Sequence, residues 1–245
     1  MIVANWKCNG SKIMIQDWIS KFKETYVTSN NSYIGIAPSY IYIEHLSNNL
    51  KANSLDITYG VQNIDLSSGA RTSAISLEMV KDMSCNFSII GHSEMRIIFG
   101  ETNENISEKL DLIAKSLDII LCIGESAEEN INNQTKEILK QQLEVVNGRD
   151  LSQSFTIAYE PVWAIGTGKT PTPNQINDIH KFIKDVVQSS SVNNIVPKVL
   201  YGGSVNENNA QSFFNEDYVD GALIGGASLN GNSFAKIVNI FNGVN

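Results

Sequence analysis

Residues 155–170 read Phe155-Thr-Ile-Ala-Tyr159-Glu160-Pro161-Val162-Trp163-Ala164-Ile165-Gly166-Thr167-Gly168-Lys169-Thr170. The first five form a short apolar run, the mark of a buried strand. Glu160 stands where the run stops, and Pro161 then withholds a ladder hydrogen bond and fixes the exit angle of the chain. Residues 162–170 are apolar at first and then punctuated by glycine. Such a loop suits a surface only if it spends part of its time closed over something. The stretch therefore predicts a carboxylate on a strand tip beneath a mobile lid, Pro161 to Thr170, which suits a base that works away from water. Gly168-Lys169-Thr170 looks like the end of a nucleotide-binding loop, but that pattern needs glycine at position 163, where Trp163 stands. An ordinary strand-to-helix connection stays open on this stretch alone.

Similar apolar runs lie at residues 2–5, 33–37, 57–61, 87–90, 119–123, 155–159, 198–201 and 219–224. They are nearly continuous rather than alternating, as expected of parallel strands covered on both faces. Between them lie segments of helical spacing, among them 13–25, 106–115, 134–146 and 176–187; Ile106, Leu110 and Ile113 fall at i, i+4 and i+7. Strand and helix alternating eight times in 245 residues predict an α/β chain folded as one (β/α)8 barrel domain over residues 1–245. A doubly wound open sheet is the alternative that periodicity leaves open. The polar stretch 189–194 sits between a helix and the seventh strand and does not read as a linker.

Composition narrows the function. A net charge of −8, with no basic cluster, disfavours nucleic acid and anionic membranes as partners. No apolar run approaches the roughly 18 residues of a transmembrane helix, and the opening Met-Ile-Val-Ala-Asn-Trp-Lys7 does not read as a signal peptide. Three cysteines, Cys8, Cys85 and Cys122, without metal or redox spacing, predict reduced buried thiols and a cytoplasmic setting.

In a barrel of this kind, chemistry belongs to the C-terminal ends of the strands. Those positions hold Asn5 and Lys7 after the first strand, His92, Ser93 and Glu94 after the fourth, and Glu160 after the sixth. Gly202-Gly203-Ser204 and Gly225-Gly226 follow the seventh and eighth. A lone histidine with scattered carboxylates lacks a metal ligand set, and neither Ser93 nor Ser204 sits on a G-x-S-x-G elbow. Each candidate has a plain alternative: a strand-end Glu caps helices, a lysine beside Trp6 lies on the surface, a Gly pair makes a turn. His45 and His180, both in helical segments, read as structural. The joint placement of lysine, histidine and carboxylate at one rim, with glycine loops suited to an anion, favours a site.

Together these residues resemble the triosephosphate isomerase family, and over the whole chain. The carriers are Ala4-Asn-Trp-Lys-Cys-Asn-Gly10, Gly91-His-Ser-Glu-Met-Arg96, Phe99-Gly-Glu-Thr102 and Leu121-Cys-Ile-Gly-Glu125, then 158–170, Tyr201-Gly-Gly-Ser-Val205 and Asp220-Gly-Ala-Leu-Ile-Gly-Gly-Ala-Ser228. The resemblance implies a TIM barrel that interconverts dihydroxyacetone phosphate and glyceraldehyde 3-phosphate in central carbon metabolism, with no cofactor and no metal. It casts Glu160 as the base and His92 as the neutral electrophile; this family is the standard example of that pairing and of lid closure. Lys7, held by Glu94, would stabilise negative charge, and Asn5 would hold the carbonyl side. Gly166, Ser204, Gly225 and Gly226, with Asn5 and Lys7, would bind the substrate and its phosphate. The rival from another class, a silent barrel serving as a scaffold, would be expected to have lost Glu160, His92 or Lys7.

The chain departs from the family in three places. Thr72-Ser73-Ala74 stands where the family reads Thr-Gly-Glu, in a loop one residue shorter. The resemblance implies a homodimer, and this change a weakened or rewired interface around Thr72, with Arg96 deprived of a charge partner. Met95 replaces an arginine, which reads as neutral. Pro171 occupies the lid's rear hinge in place of a small residue and is expected to restrict it.

Overall fold

The computed structural model describes residues 1–29, 32–165 and 170–244. Its strands are β1 (Ile2–Asn5), β2 (Ile34–Ala37), β3 (Thr58–Val61), β4 (Phe87–Ile90), β5 (Asp118–Ile123), β6 (Thr156–Tyr159), β7 (Lys198–Tyr201) and β8 (Ala222–Ile224). All pair in parallel in chain order, and β1 closes the ring by pairing with both β2 and β8, Ile2 standing opposite Ile34 on one side and Ala222 on the other. This is the (β/α)8 barrel that the repeat predicts, and the open sheet is set aside. Every expected run contains a strand. The eighth begins late because Gly221, at φ +142°, brings the chain against Met1: a Cβ there would lie 1.7 Å from the Met1 carbonyl oxygen.

The near-continuous apolar strands have two burials to satisfy. Val3, Phe87, Ile89, Ile120, Cys122, Ala158, Leu200 and Leu223 fill the barrel interior. Their neighbours in the chain, such as Ile2, Ala4, Leu121, Ile157 and Ile224, face the surrounding helices. Alternation is present, but both faces are apolar.

The helices are α1 (Lys12–Thr25), α2 (Ile43–Ala52), α3 (Leu77–Asp82), α4 (Ser93–Ile98), α5 (Asn103–Ile113), α6 (Ala127–Ile131), α7 (Thr135–Leu143), α8 (Pro173–Ser190), α9 (Ala210–Phe214) and α10 (Gly231–Phe241). Their inward stripes follow helical spacing: Ile15, Trp18, Ile19 and Phe22 on α1, and Ile106, Leu110 and Ile113 on α5. Thr102 and Thr172 start α5 and α8 with capping boxes, supplying acceptors for N–H groups that have no partner in the first turn. After α7 the helical segment tightens into a 3-10 turn at Glu144–Val146.

Cys85 and Cys122 are buried free thiols, but Cys8 is exposed. It sits in the turn that leaves β1, beyond the reach of either core layer. None of the described helices is long and apolar enough to cross a membrane.

Candidate active site

The strand ends deliver their polar residues to one mouth of the barrel. Asn5 ends β1, His92 is the N-cap of α4 just past β4, and Glu160 follows β6 directly. With Lys7 they line a cavity of about 440 Å³, whose opposite wall carries Ser204, Gly225 and Gly226.

Glu160 is only 3% exposed, and three contacts hold it. Its own amide donates to the Ile123 carbonyl at 2.7 Å. One carboxylate oxygen accepts the Ser93 N–H at 3.0 Å, and the other lies 3.0 Å from His92 Nε2. Gly202 leaves the room: a Cβ there would stand 2.8 Å from Glu160 Cγ. Burial alone would raise the Glu160 carboxyl, but the His92 ring, the Ser93 amide and the Lys7 charge together carry it below the ordinary carboxylate value.

The tautomer of His92 follows from its neighbours. Nδ1 accepts the Glu94 backbone N–H at 3.2 Å, one of the first N–H groups of α4, so the ring proton sits on Nε2 and points at Glu160. Burial lowers the imidazole pKa, and the charge and hydrogen bond of Glu160 carry it net upward, with Lys7 opposing.

Lys7 Nζ pairs with Glu94 at 2.7 Å, and both side chains keep some solvent exposure. Glu94 does not line the cavity; it holds the ammonium from behind.

The leading end of the expected lid is anchored. Val162–Ala164 form a 3-10 turn, Trp163 Nε1 donates to Glu125 Oε1 at 2.9 Å, and Ser204 Oγ donates to the Ala164 carbonyl at 2.7 Å. Ile165 lines the cavity, and Thr170 is exposed. Gly166, Thr167, Gly168 and Lys169 lie outside the described residues.

A family model for triosephosphate isomerase matches residues 1–241. The chain belongs to the triosephosphate isomerase family. Its activity is that of a triosephosphate isomerase, an intramolecular isomerisation in glycolysis and gluconeogenesis. The triosephosphate isomerase of Baumannia cicadellinicola is 42% identical over 246 residues, covering 97% of this chain and 95% of the relative. Those of Escherichia coli and Erwinia tasmaniensis are 40% and 38% identical, again over 97% of this chain and 95% of theirs.

Some residues with work to do at a triosephosphate isomerase mouth carry no role in the sequence reading. Glu125 is fully buried; besides Trp163 it accepts the Tyr159 hydroxyl at 3.0 Å and the Asn130 amide at 3.1 Å. Burial raises its pKa, against the pull of the Trp163 hydrogen bond. Its place two residues past β5 is the signal that could have found it. Ser39 and Gln62, which grip the backbone of Lys7, gave no such signal. Thr72 is exposed on its loop and is not brought to this cavity. Arg96, expected to be deprived of a charge partner, turns inward onto neutral acceptors, donating to the Gly91 carbonyl and to Asn103 Oδ1, each at 2.9 Å. Burial lowers its pKa.

Proposed function

We propose that Glu160 takes the proton from the carbon beside the carbonyl of dihydroxyacetone phosphate and returns it to the neighbouring carbon, giving glyceraldehyde 3-phosphate. The Nε2–H of His92 donates to the substrate carbonyl and then moves a proton between the two enediolate oxygens. Lys7 and Asn5 stabilise the developing oxygen charge, an effect greatest in a water-poor site. Ser204, Gly225 and Gly226, with Gly166, offer the phosphate their loop amides. Hydrogen leaves one carbon and joins the next, so no external oxidant or reductant enters and the reading asks for no cofactor or metal.

The observation that carries this reading is the 3.0 Å contact between a buried carboxylate and the protonated nitrogen of a buried imidazole, at the edge of a cavity large enough for a triose phosphate. Base and electrophile face each other across that contact, and the substrate inserts between them. Closure of the lid shields the enediolate, which in water would eliminate phosphate.

The test is a coupled isomerase assay with glyceraldehyde 3-phosphate on wild type and Glu160→Asp. Withdrawing the base by one methylene should lower turnover by about 10²–10³-fold. Folded wild type without turnover would hand the chain to the scaffold reading.

The further expectations belong to the same proposal. Residues 1–245 form one barrel domain working in the cytoplasm. The chain pairs as a homodimer through the rim beyond β1, β2 and β4. There Ile13, Ile41, Ile97, Ile98 and Phe99 are exposed, each by two thirds or more. The short loop around Thr72 makes that dimer a weak one. A specific activity that holds steady on dilution to nanomolar protein, with a dimer still sedimenting, would sink the weak version.

A further inference from the structure

Among the described residues that line the cavity, Lys7 is the non-glycine residue held at left-handed φ, at +50°. L-residues avoid that region because Cβ crowds the following carbonyl, and strain of this kind persists only where the surroundings fix it. Glycine would take the turn without cost but carries no ammonium. Lys7 therefore needs holding, and its peptide groups show how. Its N–H donates to Asn5 Oδ1 at 3.1 Å. Its carbonyl receives the Ser39 hydroxyl at 2.9 Å and Gln62 Nε2 at 2.8 Å.

The two carbonyl donors are unequal. Ser39 has one O–H, divided between Lys7 and the Asn9 carbonyl at 3.3 Å. Gln62 has two N–H groups, and its second acceptor is the Ala37 carbonyl at 3.1 Å. One amide thus ties the turn after β1 to the end of β2 from a position just past β3. The turn it fixes aims the Lys7 side chain across the mouth, where a Cβ on Gly225 would be 3.8 Å from Lys7 Cε.

We propose that Gln62 is a positioning residue for Lys7: its side-chain amide locks the left-handed turn that points the ammonium at the substrate's anionic oxygens. The proposal rests on the reading of Lys7 as the cation that meets the substrate. Without the Gln62 donors, Lys7 relaxes toward ordinary φ and its ammonium leaves the cavity. A mere brace between strand ends would cost stability without this dependence on the lysine.

The test is a cycle of Gln62→Met, which keeps the length and removes both donors, with Lys7→Ala, using calorimetric titration of inorganic phosphate and thermal unfolding of each variant. Gln62→Met alone should weaken phosphate about tenfold, the scale of one net hydrogen bond, and should weaken it no further once Lys7 is alanine. Ser39→Ala, removing the other donor to the same carbonyl, should give a smaller loss with the same dependence, and serves if Gln62→Met does not fold. Losses that add undiminished in the Lys7→Ala background overturn the proposal. Phosphate affinity unchanged by Lys7→Ala alone instead overturns the reading of Lys7, a distinct result.

Discussion

His92 and His180 are both buried, on opposite faces of the same strand, and their surroundings drive them apart. His92 meets a carboxylate at 3.0 Å in the cavity, which carries its pKa upward. His180, on α8, lies edge-on to the ring of Tyr159 at 6.0 Å, with Nδ1 at 3.2 Å from the Tyr218 carbonyl and Nε2 unpartnered. Burial there outweighs the Tyr218 hydrogen bond, with no carboxylate opposite among the described residues, and takes its pKa down to about 3. Burial alone, then, does not fix which way a histidine shifts; an opposed carboxylate beside open volume reverses the sign. Tyr159 and Glu160, adjacent in the chain, hand the two rings to opposite faces of the barrel wall.

Removing each ring in turn puts that contrast to its most severe trial. His92→Gln should lower kcat by about 10²–10⁴-fold, the range for a lost general acid–base group, while the melting temperature changes little. His180→Gln should do the reverse, leaving turnover within about twofold and costing about 1–3 kcal/mol for a buried polar group left poorly satisfied. Steady-state kinetics and thermal melts on both variants decide it. A His180→Gln enzyme that melts normally but turns over poorly would erase the distinction.

Carboxylates repeat the lesson. Glu160 shares its burial with the His92 ring and the Ser93 amide, whereas Glu101 pairs with the Lys109 ammonium and spends an oxygen on the Gly91 N–H at 3.0 Å. Both side chains of the Lys109–Glu101 pair are under a tenth exposed. Lys109→Met strands a buried charge and should cost about 3–5 kcal/mol, read as a large fall in the urea midpoint. A loss under about 1 kcal/mol, the worth of a surface pair, would mean water reaches Glu101.

What could be read beforehand divides along the same line. Asn5, Lys7, His92 and Glu160 announced themselves because each is a polar residue at the end of an apolar run, and a barrel sends all such ends to one mouth. Of the groups that hold them, Glu94 came with the resemblance, while the roles of Gln62 and of the Ser93 amide did not. Gln62 reaches Lys7 across 55 positions and Ser93 serves Glu160 through its backbone across 67, so neither pattern nor side-chain type signals the contact. Arg96 was expected to be deprived of a charge partner, and its described hydrogen bonds run to neutral oxygens, the Gly91 and Cys122 carbonyls and Asn103 Oδ1, which no pattern in the chain announces. Cys8 was expected buried by residue type, and the turn at Lys7 exposes it.

Acid titration extends the histidine contrast through its sign. His180 is depressed from an ordinary 6.5 to about 3, so the unfolded chain takes up a proton before the folded one does. Stability from this group is intact above 6.5 and falls as the pH drops from there toward 3, by about 2 kcal/mol at pH 5. His92 is raised, so its contribution is full below 6.5 and fades as the pH rises through the folded value. The expected outcome is that His180→Phe flattens the loss of stability between pH 7.5 and 5, while His92→Gln steepens it. Denaturant midpoints across that window check both slopes, and equal slopes in the two variants would contradict the assignment.

A smaller change is expected at the lid, where the question is whether it borrows rigidity from the wall on which His180 lies. Pro171 is buried and shares a cavity of about 300 Å³ with Tyr159, Trp163 and Ile179, so one ring, that of Tyr159, touches both His180 and the space behind the lid. The proline ring fixes φ immediately before the Thr172 cap of α8, at the lid's trailing end. Pro171→Ala frees that dihedral at a cost of about 1 kcal/mol or less, through the greater entropy of the unfolded chain. A looser hinge opens faster and closes less completely, so kcat and KM should rise together, by about two- to threefold, if opening limits turnover. The adjoining cavity leaves room for the backbone to move without a clash, which keeps the expected stability change small. Solvent viscosity separates the cases: a kcat less sensitive to viscosity in Pro171→Ala than in wild type means the proline slows opening. Unchanged kcat, KM and viscosity dependence would show that the lid hinges wholly on its leading end, at the Trp163–Glu125 contact.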